Sequence, residues 1–554
     1  MTFFSKIIAG VKLHKKDFFV LLFFIIVGTT SVLYSLTLPF SVNGDTYVTL
    51  LANKAISDVH YPDREMILRN DFRPYLYPVT LEFLNSRFSA HDYTLILLFF
   101  LVVVTGFAGY IALRMLGFSR VISTSVSAIA LFPRSCIGME LWGVIAPSDV
   151  LGRTFALPVL WLLAAWYIKR KQEKRSLWPV FAFLGLSTYI HPVSLVFFGG
   201  ILFLVFLFQI IVEKNWRRGF KDFGISVAAF CAGASLLLVK IFGTTSRIAS
   251  HGDGLQVSGA DYATAVYARI RWDFPPASTV WIRNVLVVSF IFLFAGAWAY
   301  FEIRKQKKKE NTMYKEIFRF ALPLIFFSIV ISIALPALQI WLMREHNWPL
   351  IIQQASRVSK YYYLGLFLIF AVALSLITKR YPKKKYLIEL ITVIGIASSG
   401  FGLEWFEFLI GYPNYSESYI PAVFQHKNFP NESLKYPAIC KQMKDAGITR
   451  NDIVLSDDFP LRYFCEAKLL VTMEEGSAYL MSGKSEMVWW QRTYYEQGGS
   501  FDTAEHLVNF AKREKARYAL LTSGSFLEKE FDAEKMIVSK GETYSIVKFS
   551  SYQP

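Results

Sequence analysis

Cysteine is scarce in this chain of 554 residues: 4 occur, Cys136, Cys231, Cys440 and Cys465, and no two stand at metal-ligand spacing. Zinc-finger and zinc-ribbon architectures are thereby excluded. There is no HExxH pair, no Cys/His cluster, no GxSxG elbow and no P-loop, so metalloprotease, serine hydrolase and ATPase chemistry lack their residues. Charge is thin as well: 18% of residues are charged, against about 25% in ordinary soluble domains. The first apolar run, "DFFVLLFFIIVGTTSVLYSLTLPF", has no small-residue cleavage site and is too long for the h-region of a signal peptide. It reads as a retained span.

What is present is apolar. With 54% hydrophobic and 17% aromatic residues and a mean hydropathy of +0.37, the composition is that of a polytopic α-helical membrane protein. About eleven runs approach the 17 to 25 residues that cross the hydrocarbon as helix. They lie near 17–40, 94–113, 121–133, 154–168, 177–190, 193–212, 223–242, 282–301, 317–340, 361–378 and 386–403. The runs at 121, 154 and 177 are short, which suits tilted, broken or re-entrant segments.

The formal charge of +17 invites a nucleic-acid reading, and its location removes it. Residues 412–554 hold 17 basic and 19 acidic side chains, a net of −2, which leaves +19 on residues 1–411. With the N-terminus inside, alternate connections carry "KLHKK", "IKRKQEKR", "EKNWRRGFK", "EIRKQKKKE" and "TKRYPKKK". These inward segments hold 27 basic and 7 acidic residues, and the outward loops hold 15 of each. Such an asymmetry is the positive-inside rule. The excess charge is topology and contact with anionic lipid, with no nucleic acid as partner.

Eleven spans that start inside finish outside, so residues 412–554 are expected to form an extracytoplasmic α/β domain following a transmembrane domain at 1–411. "SLKYPAICKQMKDAG" reads as a helix ended by Gly447, then "DIVLS" as a strand, "PLRYFCEA" as a short helix and "KLLVT" as a strand. An aromatic-rich helix within "EEGSAYLMSGKSEMVWWQRTYYEQGG" and the helix "TAEHLVNFAKREKA" lead to the strand "RYALLT". "KMIVS" and "YSIVKFS" close the domain through the turn "KGET". Cys440 and Cys465 share this domain, where a disulfide is chemically permitted; two unpaired core thiols are the alternative. The first outward loop, residues 41–92, carries two amphipathic patterns, "DTYVTLLANKAI" and "PYLYPVTLEFLNSRF", suited to lying along a membrane surface.

Candidate site residues fall on the outward side. Asp45 follows Gly44 and precedes a helical pattern, the position of an N-cap, yet a carboxylate there could equally take the proton of an attacking hydroxyl. Asp71, in "LRNDFRPYLYP", could face the same cavity. In "PRSCIGMELWGVIAPSDVLGRTFALP", Asp149 and Arg153 stand between broken apolar segments. Irregular backbone at that depth is tolerated where it is buried in protein or lines a wet cavity, while capping and snorkelling are the plainer roles. His191 and Pro192 interrupt an apolar stretch; a histidine there needs a structural hydrogen-bond partner or a ligand. Arg357, in "PLIIQQASRVSKYYYLG", could hold a lipid-linked phosphate in its fork of donors or serve as an interfacial anchor.

"NGDTYVTLLANKAI" after a first span, two loop helices, short broken spans and an outward α/β domain together resemble the C-type (GT-C) fold of polyprenyl-phosphate-dependent membrane glycosyltransferases. "GRTFALPVLWLLAAWYIKRKQEKRSLWPVFAFLGLSTYIHP" looks like bacterial multi-span proteins of this general type, and "VTMEEGSAYLMSGKSEMVWWQRTYYEQ" is similar to a segment of their outward domains. The resemblance implies a plasma (inner) membrane enzyme. It would transfer a sugar from a polyprenyl-(di)phosphate donor to a glycan, lipid or protein acceptor on the outer face. By this resemblance Asp45 corresponds to the loop acid that acts as general base, and Arg357 is a candidate for binding the donor phosphate. There is no adjacent acid pair at position 45 and no WWDYG-like motif, which argues against an oligosaccharyltransferase and leaves a divalent metal cofactor open. The other readings are a transporter or flippase of lipid-linked saccharide, which needs no base at Asp45, and a polymerase of such saccharides.

Overall fold

The computed structural model describes residues 15–37, 76–88, 90–136, 141–146, 150–239, 257–270, 292, 294–305, 312–348, 355–381, 391, 394, 432–458, 460–471, 484–498 and 503–549. The first part runs α1 (Lys15–Thr37), α2 (Leu76–Asn85), α3 (Ala90–Met115), α4 (Arg120–Leu131), and a hairpin of β1 (Arg134–Ser135) and β2 (Leu141–Trp142). A 3-10 helix (Gly152–Ala156), α5 (Leu157–Gln172), α6 (Trp178–Ser187), α7 (Pro192–Glu213), α8 (Trp216–Gly233) and α9 (Gly259–Ile270) follow. Then come α10 (Thr312–His346), a second 3-10 helix (Ala355–Lys360) and α11 (Tyr361–Arg380). Among the described residues, five helices are long and apolar enough to cross a membrane: α1, α3, α7, α10 and the unit formed by the second 3-10 helix with α11. The chain is a helical membrane protein. The runs expected at 121 and 177 are short apolar helices, α4 and α6, whereas most of 386–403 lies outside the described residues.

Local sequence sets the helix starts. A proline stands in the first turn of α5, α6 and α7, where the missing amide hydrogen costs nothing and φ is already helical. Ser119 caps α4 by accepting from the Ile122 amide. Asp17, buried in the first turn of α1, accepts from the Tyr110 hydroxyl of α3 and from Arg120 Nε of α4 at 2.8 Å. One carboxylate therefore joins three helices.

The ends of the bundle are identified by side-chain bonds. Gln209 near the end of α7 donates to the Arg319 carbonyl near the start of α10 at 3.1 Å, and the hydroxyls of Tyr314 and Ser375 meet at 2.7 Å. The end of α7, the start of α10 and the end of α11 thus share one end. The starts of α7 and α11 and the end of α10 share the other.

Beyond that second end lie α12 (Glu432–Asp445), β3 (Ile453–Leu455), α13 (Pro460–Phe464), β4 (Lys468–Leu469), α14 (Lys484–Gly498), α15 (Ala504–Arg513), β5 (Tyr518–Thr522), α16 (Phe526–Ala533), β6 (Ile537–Lys540) and β7 (Tyr544–Lys548). The sheet order is β4-β3-β5-β7-β6, with β3 parallel to β4 and β5, and β7 antiparallel to β5 and β6. Two apolar cores flank the sheet. Tyr436, Ile439, Met443, Leu461 and Leu469 belong to one, and Trp490, Phe510, Phe531 and Phe549 to the other. The second core also takes in Tyr262 and Val266 of α9 and Met343 of α10. Lys484 Nζ donates to Asn347 Oδ1 at 2.9 Å. The C-terminal sheet is therefore seated on the end of α10 through α9.

Cys440 and Cys465 form a disulfide between α12 and the residue after α13. Of the expected strands, "KLLVT" is reduced to Lys468–Leu469. The helix α16 and the hairpin β1–β2 were not expected. In α16 only Phe531 is buried, so its apolar periodicity is too sparse to announce a helix.

Asp452 is buried and accepts from the Thr449 amide at 2.8 Å, the Thr449 hydroxyl at 2.7 Å and Arg517 at 3.0 Å. Burial pushes its carboxyl up, but the Thr449 bonds and the Arg517 charge outweigh this and hold it below the usual range. A depressed folded-state value means the stabilisation is whole above the unfolded value of about 4 and is lost as pH falls through the folded one. Urea unfolding of the full chain in detergent should therefore show a midpoint that drops below about pH 4. Asp452→Asn should flatten that drop, and an unchanged pH slope in the variant would refute the assignment.

Candidate functional site

The second 3-10 helix is almost wholly buried: Ala355, Ser356, Val358, Ser359 and Lys360 are inaccessible, and Arg357 is half-buried. It packs on α10, α7 and α11. In a 3-10 helix, side chains three apart eclipse. Arg357 and Lys360 consequently project from one side of it, at the end of the bundle that carries the C-terminal sheet.

A buried ammonium requires hydrogen bonds. Lys360, 3% exposed, donates from Nζ to Ser194 Oγ at 2.7 Å and lies 5.6 Å from the Tyr361 ring centroid. The Tyr361 hydroxyl donates to the Ser194 carbonyl, and the Ser194 amide donates to His191 Nδ1 at 3.1 Å. Ser194 is thus held through three groups, by Lys360, Tyr361 and His191. His191 is the N-cap of α7, with Pro192 in the first turn. An accepting Nδ1 places the proton of a neutral imidazole on Nε2, leaving that N–H as a donor.

Arg134, the residue after Pro133, is 4% exposed on β1. Its guanidinium carbon lies 6.0 Å from the Phe292 ring centroid. The hairpin is locked in place. Trp142 is 1% exposed, donates from Nε1 to the Ala130 carbonyl at 3.1 Å, and meets Trp161 of α5 and Phe367 of α11. The Val144 amide donates to the Leu131 carbonyl at 2.8 Å. Gly143 has φ +112, and a Cβ there would lie 2.7 Å from the Leu131 oxygen. Non-helical backbone is thus satisfied inside the protein, as an apolar surround demands.

Arg153 lies half-buried on the first 3-10 helix, whose Thr154 hydroxyl donates to the Leu151 carbonyl at 2.7 Å. That helix packs on α5 and on α7. The segments carrying Arg153, His191 and Arg357 therefore converge around the start of α7. Asp45, Asp71 and Asp149 lie outside the described residues. Lys360 and Arg134 join the cluster although sequence reasoning did not select them as site residues. The available signals were the lysine beside a tyrosine triplet and the arginine directly after Pro133, neither of which reports burial. Among the described residues, no three His, Cys, Asp or Glu side chains form a group that could hold a metal ion.

No family model matches the chain, and no curated protein matches it.

Gly143→Ala should cost roughly 1–3 kcal/mol, because it combines a left-handed backbone with a clash against backbone atoms. The expected readout is a lower thermal midpoint in detergent; a midpoint equal to that of the wild type would show that the hairpin is not seated as described.

Proposed function

We propose that the protein is an integral membrane glycosyltransferase that moves a sugar from a polyprenyl-(di)phosphate donor to an acceptor on the outer face. The observation that carries this reading is the pair of cations, Arg357 and Lys360, on one side of a buried 3-10 helix at the end of a membrane bundle. A lipid-linked phosphate reaches such a position along the bilayer, and a fork of donors beside a fixed ammonium suits its oxygens. In this reading Arg153, His191, Asp149 and Asp71 bind sugar or acceptor hydroxyls.

The reaction is an inverting displacement. The acceptor oxygen bonds to the anomeric carbon while the bond from that carbon to the phosphate oxygen breaks, and its electron pair stays on the phosphate. Asp45 takes the acceptor proton, and Arg357 stabilises the charge developing on the leaving group. Eleven spans with the N-terminus inside and residues 412–554 outside complete the reading. Two findings support this orientation: the charge asymmetry of the loops, and the Cys440–Cys465 disulfide, which belongs in an oxidising compartment.

Asp45→Asn should abolish sugar transfer in a membrane assay while expression and donor binding persist; equal activity would sink the base assignment. Arg357→Ala should weaken binding of the lipid-linked donor, and an unchanged affinity would return this residue to the role of interfacial anchor.

A further inference from the structure

The opposite end of the bundle carries a second cationic feature, independent of the proposed activity. The turn between α5 and α6 and the turn between α7 and α8 lie side by side. Lys171 Nζ meets Glu213 Oε2 at 2.9 Å, Arg218 donates to the Lys174 carbonyl at 3.3 Å, and Asp222 of α8 accepts from the Ser176 hydroxyl and, at 3.1 Å, from the Leu177 amide. Residues 169–175 and 213–222 together hold nine basic and three acidic side chains.

All three acids are engaged within this cluster. Glu213 pairs with Lys171, Glu173 pairs with Arg175 at 3.1 Å, and Asp222 holds the entry to α6. Arg170 donates to the Ser176 carbonyl at 2.5 Å. Lys174, Lys214, Arg217, Arg218 and Lys221 are exposed, and none has a carboxylate at ion-pair distance among the described residues. Five positive charges thus remain on two adjoining turns.

Exposed aromatics flank them. Trp178 at the start of α6 is 46% exposed, Trp216 at the start of α8 is 49% exposed, and Trp216 stacks on Phe220 with ring centroids 5.8 Å apart. Tryptophan at a helix end stands at the level of lipid head groups, with an apolar body and a polar N–H. Cations beside it meet phosphates at that depth.

We infer that these two turns form a binding site for the head group of an anionic phospholipid in the leaflet at that end. Its phosphate lies against Arg217, Arg218 and Lys221, and its glycerol and upper chains lie against Trp216, Phe220 and Trp178. The site differs from a general attraction of basic loops to a charged surface, because its charges are concentrated where two helical hairpins are bonded together. A soluble polyanion would use the cations but not the aromatic plate.

The test uses the full chain in nanodiscs of phosphatidylcholine, alone or mixed with phosphatidylglycerol, followed by native mass spectrometry of the lipid retained in detergent. The wild type should retain phosphatidylglycerol over phosphatidylcholine, and raised salt should strip it. The triple variant R217Q/R218Q/K221Q should retain it roughly a hundredfold less, since three cations near an anionic surface contribute on the order of 1 kcal/mol each. R217K/R218K should keep it. Equal retention in the triple variant, or retention by the wild type that salt does not change, overturns the site. Displacement of the lipid by inorganic phosphate at matched phosphate concentration overturns the assignment to lipid. Because the salt and phosphate arms use the wild type, they decide the matter even if the triple variant fails to fold.

Discussion

An ammonium group cannot sit among packed helices without hydrogen bonds, and Lys360 meets that requirement at the Ser194 hydroxyl. Much of the surrounding arrangement depends on this one bond. Ser194 also gives its amide to His191 and receives the Tyr361 hydroxyl at its carbonyl. The start of α7 and the start of α11 are thereby held together through a single residue. Pro192 fixes the backbone entering α7, and the 3-10 helix before α11 is short enough to deliver Lys360 without exposing its own backbone. Arg357, three residues earlier, is carried to the same side by the geometry of the turn.

The two ends of the bundle are built on different physics. At the end that carries the sheet, Lys360 is buried against the Ser194 hydroxyl and Arg134 beside the Phe292 ring, with irregular backbone satisfied by the Trp142 hairpin and the Thr154 turn. At the other end the cations are exposed, their few acidic neighbours are already engaged, and tryptophans stand beside them. Buried, pre-positioned charge suits recognition of one phosphate in a defined pose. Exposed charge beside aromatic plates suits a fluid head-group layer. The C-terminal sheet adds a further constraint, because its core is completed by Tyr262 and Met343 from the membrane part. It is held on the bundle by apolar burial, and its position does not rest on linker geometry.

Legibility in the sequence followed the strength of local periodicity. Gly447 ends α12 with φ +80, as its place after the apolar pattern required. The strands Tyr518–Thr522 and Tyr544–Lys548 fell where runs of Tyr, Leu, Ile and Val are bounded by turn residues. The helix Phe526–Ala533 has no clear apolar period because half of its residues are charged, and its start depends on Ser525 accepting from the Glu528 amide. The hairpin β1–β2 was missed because two-residue strands have no period; tertiary contacts of Trp142 create it. The disulfide stood as one of two alternatives for Cys440 and Cys465, since sequence spacing carries no information on approach distance.

Sequence alone determined that this is an apolar, helical membrane chain whose excess positive charge lies in residues 1–411, because composition and charge are counted along one dimension and need no contacts. It also supplied Arg153, His191 and Arg357 as candidates. Only the tertiary structure decided that their segments meet at the start of α7, that Lys360 and Arg134 are buried beside them, and that α9 and the end of α10 complete the core of the C-terminal sheet. The reason is physical: burial and convergence are properties of pairs of segments far apart in the chain, set by packing and by the need to satisfy every polar group removed from water.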